Sequence, residues 1–241
     1  MNYFVKVAVV VFIPSILIMG VQECHANEPL PVQDRHTSDP VSVKTAAAKS
    51  ALSSGLNKIA CLLYLELLSD ANASGGHYQE GLLLGLTTAQ IADGQFEEAD
   101  KTLGQLSDKS SARARIRRAI LAFHRDERAK ISELLVLVSA ENLPINEKGW
   151  FYLLKGIGEL HEKKREEAQA NFANAIELAV NETQVTEFLL LRHRAEVFSN
   201  QPDEILSVKL KQQWEKYKGK SASYDFALQY VAVLKALGKT G

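Results

Sequence analysis

Apolar residues recur at helical spacing in paired segments over most of the chain from residue 41 onward. In each pair a short turn separates two amphipathic stretches, a pattern typical of a helix, a tight turn and a second helix. The clearest pairs are VKTAAAKSALSSGLNKIACLLYLELL, GLLLGLTTAQIADGQFEEADKTLGQL and WFYLLKGIGELHEKKREEAQANFANAIELA. Their turns fall at Ser54-Gly55, at Asp93-Gly94 and around Glu162 to Lys164.

The second helices of these pairs share a pattern in which apolar or small residues stand at i, i+4 and i+7. The matching residues are Ala60, Tyr64 and Leu67, then Ala99, Leu103 and Leu106, then Ala168, Phe172 and Ala175. Ala168 lies 69 residues after Ala99, which corresponds to two units of about 34 residues. Ala99 lies 39 residues after Ala60, and the excess falls in the segment DANASGG.

This pattern resembles the tetratricopeptide repeat. The resemblance implies an all-α, α-α superhelical solenoid of about five helix-turn-helix repeats over residues 41–241, with an incomplete sixth. It further implies that a small residue lets the two helices of a unit cross closely, and that the larger residue four positions later packs between units. The other residues of the signature are Gly55, Gly94, Phe96 and Gly156.

Two further segments have the helix-turn-helix outline without the small residues, namely ARIRRAILAFHRDERAKISELLVLVSA and TEFLLLRHRAEVFSNQPDEILSVKLKQQWEKY. The clear units also depart from the family, because polar Gln90 and Glu159 stand where an aromatic residue is common. The register of the first helices is therefore open by one residue. A bundle of α-hairpins is the alternative interpretation of the same periodicity.

Repeat arrays of this family resemble scaffolds that hold a peptide or helix on the concave surface formed by first helices. The resemblance places six partner-binding positions on that surface: Leu84, Thr88, Ile91, Trp150, Leu153 and Ile157. The alternative is that these mostly apolar residues fill the interior between helices. We expect a non-enzymatic scaffold that binds a protein or peptide partner.

The N-terminus carries a targeting signal. Lys6 precedes an apolar run from Val7 to Val21, and the letters CHA at 24–26 suit cleavage after Ala26. We expect residues 1–26 to be a signal peptide. The alternative is an uncleaved signal anchor, which would bring membrane contact and make the chain a membrane-anchored helper of translocation, like some members of the family that it resembles. Residues 27–40 contain three prolines and no apolar period, and predict a disordered tether. The protein is then exported to the periplasm or outside the cell, in a bacterium.

Cleavage would remove Cys24 and leave Cys61 as the one cysteine of the mature chain. An internal disulfide would then be impossible, even in an oxidising compartment. Since Cys61 lies in the apolar helical stretch IACLLYLELL, we expect a buried and unreactive thiol.

Net charge and the absence of known catalytic motifs argue against several classes of function. The net charge of -1 provides no overall field that would attract nucleic acid. His161 begins HEKKREEA, which lacks the second histidine of a zinc-binding HExxH helix, and no phosphate loop or nucleophile elbow occurs. We therefore expect no catalytic residue, metal or cofactor.

An arginine-rich segment allows two interpretations. Its cations are Arg113, Arg115, Arg117, Arg118, Arg125, Arg128 and Lys130. We expect a solvated face with local ion pairs to Asp126 and Glu127, and an anion site is the alternative.

The last predicted helix, SYDFALQYVAVLKALGKTG, is apolar on nearly all sides. One stripe holds Phe226, Tyr230, Val233 and Leu237, and Leu228, Val231 and Leu234 extend the apolar surface around the helix. A helix of this kind requires cover on both sides. We expect the cover to come from further chain or from another molecule, including self-association through this helix. The second hypothesis for function follows: the repeats are an accessory module of a larger catalytic or receptor protein.

Overall fold

A computed structural model describes residues 40–70, 76–199 and 203–239. The predicted signal peptide and nearly all of the predicted tether lie outside these ranges. The described residues form eleven α-helices and no strand, and none of these helices is long and apolar enough to cross a membrane. The helices are α1 (Pro40–Ser53), α2 (Asn57–Ser69), α3 (Gly76–Ala92), α4 (Phe96–Gly104), α5 (Ala112–His124), α6 (Arg128–Leu135), α7 (Ile145–His161), α8 (Arg165–Glu177), α9 (Glu182–Phe198), α10 (Glu204–Lys216) and α11 (Ala222–Ala236).

The helices pack in chain order as five antiparallel pairs followed by a single helix. Each odd-numbered helix contacts the even-numbered helix that follows it, and α11 packs on α9 and α10. The odd-numbered first helices also contact one another in sequence, from α1 with α3 to α9 with α11. Packing between neighbours of this kind is that of a helical repeat solenoid, so the predicted fold class is confirmed.

Four of the turns within pairs share one backbone geometry. A residue in the left-handed conformation ends the first helix at Gly55, Gly94, Asp126 and Lys163, with φ of 74°, 78°, 61° and 65°. The amide N–H of the next residue donates to the carbonyl five residues earlier at 2.8 to 2.9 Å, as from Gln95 to Gln90. This bond caps the free carbonyls at the helix end. Sequence reasoning marked the two glycine turns, whereas Asp126 adopts the same geometry without glycine's freedom.

The residue five positions after each left-handed residue is fully buried. These residues are Ala60, Ala99, Ile131 and Ala168. In the third pair, Ile131 is followed at i+4 and i+7 by the buried Leu135 and Val138. The unit that sequence reasoning found weak therefore keeps the register of its neighbours, with isoleucine in place of alanine. The remaining signature residues of the second helices are buried as well: Tyr64, Leu67, Leu103, Leu106, Phe172 and Ala175.

The polar residues that depart from the family pattern bind polar partners on the second helix of the same pair. Thr102 Oγ1 donates to Gln90 Oε1 at 2.9 Å, and Asn171 Nδ2 donates to Glu159 Oε2 at 2.6 Å. The two bonds join corresponding positions of two repeats. Because a partly or fully buried polar group needs a partner, each polar residue in the first helix is matched by one in the second.

Cys61 is buried in α2, as expected. Burial disfavours the thiolate and raises the pKa of the Cys61 thiol. Since the thiolate is the reactive form, the thiol is held in its unreactive state.

The last described helix, α11, buries only one of its apolar faces. Phe226 and Val233 are fully buried against the preceding helices, with Tyr230 and Leu237 half-buried beside them. Leu228 on the opposite face is 52% exposed, and Tyr224 and Val231 are exposed as well. Apolar surface therefore remains open on α11 in the described part of the chain.

Helices α7 and α8 approach closely at Gly156. A methyl group at this position would lie 2.8 Å from the Phe172 ring and 3.0 Å from the Ala168 carbonyl oxygen. Both distances are shorter than van der Waals contact, so the absence of a side chain permits this crossing.

We predict that Gly156→Ala lowers the free energy of unfolding by about 1 to 3 kcal/mol, because the added methyl group overpacks the helix crossing. Gly81→Ala is the matched control, since Gly81 faces open space in the helix α3. There the same change should raise stability by about 0.5 to 1 kcal/mol, because alanine favours the helix. Urea unfolding followed by circular dichroism measures both, and equal effects would contradict the close crossing.

Candidate functional site

The six predicted partner-binding residues occupy two different environments. Leu84, Ile91, Leu153 and Ile157 are buried in the main hydrophobic core, so the alternative interpretation, that such residues fill the interior, describes these four. These four side chains are buried because each first helix packs on the first helices before and after it. Thr88 and Trp150 are half-buried. The Trp150 ring meets the buried Phe188 ring of α9 edge-on, with centroids 5.0 Å apart.

A buried arginine joins three consecutive first helices. Arg117 of α5 donates from Nε to the Leu84 carbonyl oxygen and the Thr88 hydroxyl of α3, at 3.2 Å each. Its Nη2 donates to Glu147 Oε1 of α7 at 3.1 Å, and Arg113 Nε donates to the same oxygen at 2.9 Å. Burial lowers the pKa of Arg117, and the carboxylate of Glu147 acts in the opposite direction.

The arginine-rich segment therefore divides into two parts. Local pairs form on the surface as expected, with Arg128 Nε 2.8 Å from Asp126 Oδ1 and Lys130 Nζ 3.0 Å from Glu127 Oε2. The expectation of a solvated face is wrong for Arg117. This residue is buried in the layer of first helices, where its guanidinium forms an ion pair with Glu147. No sequence motif indicates this pairing, since Glu147 stands 30 residues away from Arg117.

An open cleft lies between the N-terminal halves of α9 and α11. It has a volume of about 490 Å³ and an apolar part formed by Leu190, Leu191 and Ala222. The polar lining comprises Glu182, Thr183, Thr186, Glu187, Tyr217, Lys220, Ser221 and Asp225. We call this the α9–α11 cleft.

Tyr217, which follows α10, connects the cleft to the core. Its ring is buried and packs on the Phe226 ring at a centroid distance of 5.2 Å. Its hydroxyl lies 3.1 Å from Thr186 Oγ1 of α9. A hydrogen bond between α9 and the end of α10 thus fixes one wall of the cleft. The start of α9 is capped separately, since the Asn181 side chain accepts from the Gln184 N–H at 2.9 Å.

The charges of the cleft are unevenly paired. Lys220 Nζ lies 2.6 Å from Glu182 Oε1, and this pair lowers the pKa of Glu182 and raises the pKa of Lys220. Lys216 adds a weaker attraction at Glu182. Among the described residues no hydrogen bond or ion pair reaches the carboxylates of Glu187 and Asp225. The cleft therefore has a local excess of negative charge.

Glu187 lines the cleft from α9 and its side chain is exposed, although the neighbouring groups of the cleft displace part of its hydration shell. This desolvation favours the neutral acid and raises the pKa of Glu187 to about 7. The carboxyl group is therefore partly protonated near neutral pH.

A second cluster of polar residues on α9 is closed to ligands. His193 Nδ1 lies 2.9 Å from Glu196 Oε2, and both residues are buried. Burial alone would raise the pKa of Glu196, but hydrogen bonds from His193 and Gln169 and the charge of Arg192 lower it to about 2. We interpret this cluster as a structural link between α8 and α9.

No family model, curated protein or solved structure matches this chain. Within the described ranges no three histidine, cysteine, aspartate or glutamate side chains are grouped so that they could hold a metal ion. Sequence reasoning missed the α9–α11 cleft because its residues come from two separate stretches, 182–191 and 217–225, and have no motif spacing. The acidic residues at 182, 187 and 225 match no motif in the sequence.

We predict that the ionisation of Glu187 destabilises the fold. Its pKa of about 7 lies above the ordinary value of 4.5, so the fold favours the neutral acid. Its contribution to stability is complete below the unfolded pKa and is lost as the pH rises through the folded pKa. Relative to wild type, Glu187→Gln should therefore gain stability between about pH 5 and about pH 8.

Urea unfolding at both pH values measures this difference. Glu133→Gln is the control, because Glu133 is exposed on α6 beyond the first turn of that helix and lies outside the cleft. A Glu187→Gln curve parallel to wild type would show that the carboxylate of Glu187 ionises as it does in water.

Proposed function

We propose that this chain is an exported, non-enzymatic scaffold of the tetratricopeptide type that binds a segment of a partner protein. The observation that carries the proposal is the α9–α11 cleft, which combines an apolar surface with unpaired polar groups in the layer of first helices. Its volume of about 490 Å³ falls in the range of small ligand sites, roughly 300 to 1,000 Å³. A space of this size accommodates a few side chains of an extended segment or of a helix.

The surface next to the cleft supports contact over a longer segment. Trp150 of α7 is half-buried and touches Phe188, the residue that follows Glu187 in α9. The partner would extend from the cleft toward Trp150 along successive first helices. We therefore assign the partner-binding role expected from the sequence to Trp150, whereas Leu153 and Ile157 of the same helix are buried in the core.

Site-specific photo-crosslinking in the native host tests this function. We expect a photoreactive phenylalanine analogue in place of the exposed Thr183, which lines the cleft, to form a discrete adduct with one protein. The same analogue in place of Glu98, exposed on α4, should form no such adduct. Mass spectrometry of the recovered chain then reads its N-terminus, and export with cleavage predicts that it begins at Asn27.

Two results would contradict the proposal. Adducts of the same protein at both positions would show contact without use of the cleft, and the absence of any adduct at Thr183 would remove the cleft as the contact. A chain that keeps residues 1–26 would contradict cleavage and favour the membrane-anchored alternative.

We also propose that the chain associates with itself through α11. The supporting observation is the exposed stripe of Tyr224, Leu228 and Val231, since burial of a large apolar side chain is favourable by about 1.5 to 3 kcal/mol. Phe226 is unsuitable as a probe of this surface because it is buried inside the array.

Leu228→Ser should therefore lower the apparent mass of the protein in sedimentation velocity at high concentration. Ile145→Ser is the matched control, since Ile145 is an exposed apolar residue at the start of α7. Equal sedimentation of the wild type and Leu228→Ser at all concentrations would contradict self-association through this helix.

A further inference from the structure

Two carboxylates in the α9–α11 cleft have no cation to pair with among the described residues. They belong to Glu187 of α9 and Asp225 of α11, which line the same cavity from opposite helices. We propose that the partner segment is recognised through a lysine or arginine side chain whose cation pairs with these two carboxylates. This inference rests on the proposed function and adds the chemistry of the partner.

The other charges near the cleft leave this site open. Lys220 is held by Glu182 at 2.6 Å, and Lys216 acts on Glu182 as well. Both cations also lie 5.4 Å from the centroid of the Tyr217 ring. Lys216 and Lys220 therefore interact with Glu182 and with the face of the Tyr217 ring.

The dipole of α11 partly compensates the negative charge of one of the two carboxylates. Asp225 stands in the first turn of α11, where the positive end of the helix dipole stabilises an anion. Glu187 stands beyond the first turn of α9, where this effect has faded. The carboxylate of Glu187 therefore depends most on a cation supplied by the partner.

The apolar part of the cleft matches the stem of a basic side chain. Leu190, Leu191 and Ala222 are partly exposed next to the carboxylates. Lysine and arginine place their methylene groups along apolar surface and carry the charge at the tip. A free metal ion would leave this surface unused, and an anionic ligand would be repelled by the carboxylates.

Binding of a cation should also move a proton. The carboxyl group of Glu187 is partly protonated near neutral pH because its pKa is raised to about 7. A cation nearby stabilises the ionised form, so complex formation releases protons. Proton release distinguishes pairing with Glu187 from contact with the apolar surface alone.

Three peptides that differ in one side chain test the inference on the full chain. They are acetyl-Gly-Leu-Lys-Leu-Gly-amide and its counterparts with norleucine or glutamate in place of lysine. Amide chemical shifts of residues in α9 and α11 report binding at the cleft, and calorimetry near pH 7 in two buffers of different ionisation enthalpy reports proton release. We expect the lysine peptide to bind at least about tenfold more tightly than the norleucine peptide, with the glutamate peptide weakest.

The variants Glu187→Gln and Glu98→Gln complete the design. Glu187→Gln should weaken binding of the lysine peptide by about tenfold and abolish proton release, whereas Glu98→Gln should change neither. Equal binding of the lysine and norleucine peptides at the cleft would overturn the cationic specificity and leave the proposed function intact. If the lysine peptide binds the wild type and Glu187→Gln alike, the assignment of Glu187 is wrong. No shift at α9 or α11 with any peptide would overturn the cleft as a binding site.

Discussion

Each first helix of this array must pack against the first helices on both sides as well as against its own second helix. Residues that would otherwise face a groove lie in the contacts between first helices, and Leu84 and Leu153 are buried for this reason. Polar or amphipathic residues such as Thr88 and Trp150 stay partly accessible along the layer. Open space in the layer then depends on how closely two first helices approach, and between α9 and α11 a cleft remains.

The same packing accounts for the way polar groups are used inside the array. Gln90 and Glu159 each meet a partner on the second helix, so their burial costs little. Arg117 is held by groups from three helices, and such a buried cation is tolerated only with complete pairing. In the α9–α11 cleft the pattern changes, because Glu187 and Asp225 have no partner among the described residues. Unpaired charge in an open cavity is consistent with a role in recognition.

Much of the fold could be predicted from the sequence because its determinants are local. Alanine or glycine at fixed spacing, as at Ala99 and Gly94, shows where two helices meet and where a turn begins. The third pair was harder to identify, since Asp126 adopts a glycine-like conformation and Ile131 occupies a position normally held by a small residue. The candidate site could not be predicted, because it depends on how far apart two helices lie. That distance is set by packing on α10 and not by any short motif.

The guanidinium of Arg117 affects the cooperativity with which the helix pairs unfold. In an array whose units contact only their neighbours, stability is a sum of local terms and unfolding can proceed unit by unit from either end. A single side chain that bonds to α3, α5 and α7 couples three units, because the loss of any one of them leaves a buried charge with unmet bonds. The second, third and fourth helix pairs should thus open as one cooperative block in hydrogen exchange, with α10 and α11 outside this block. One wall of the cleft proposed for recognition would then belong to the segment that opens more readily, so a partner could be admitted without disturbing the centre of the array.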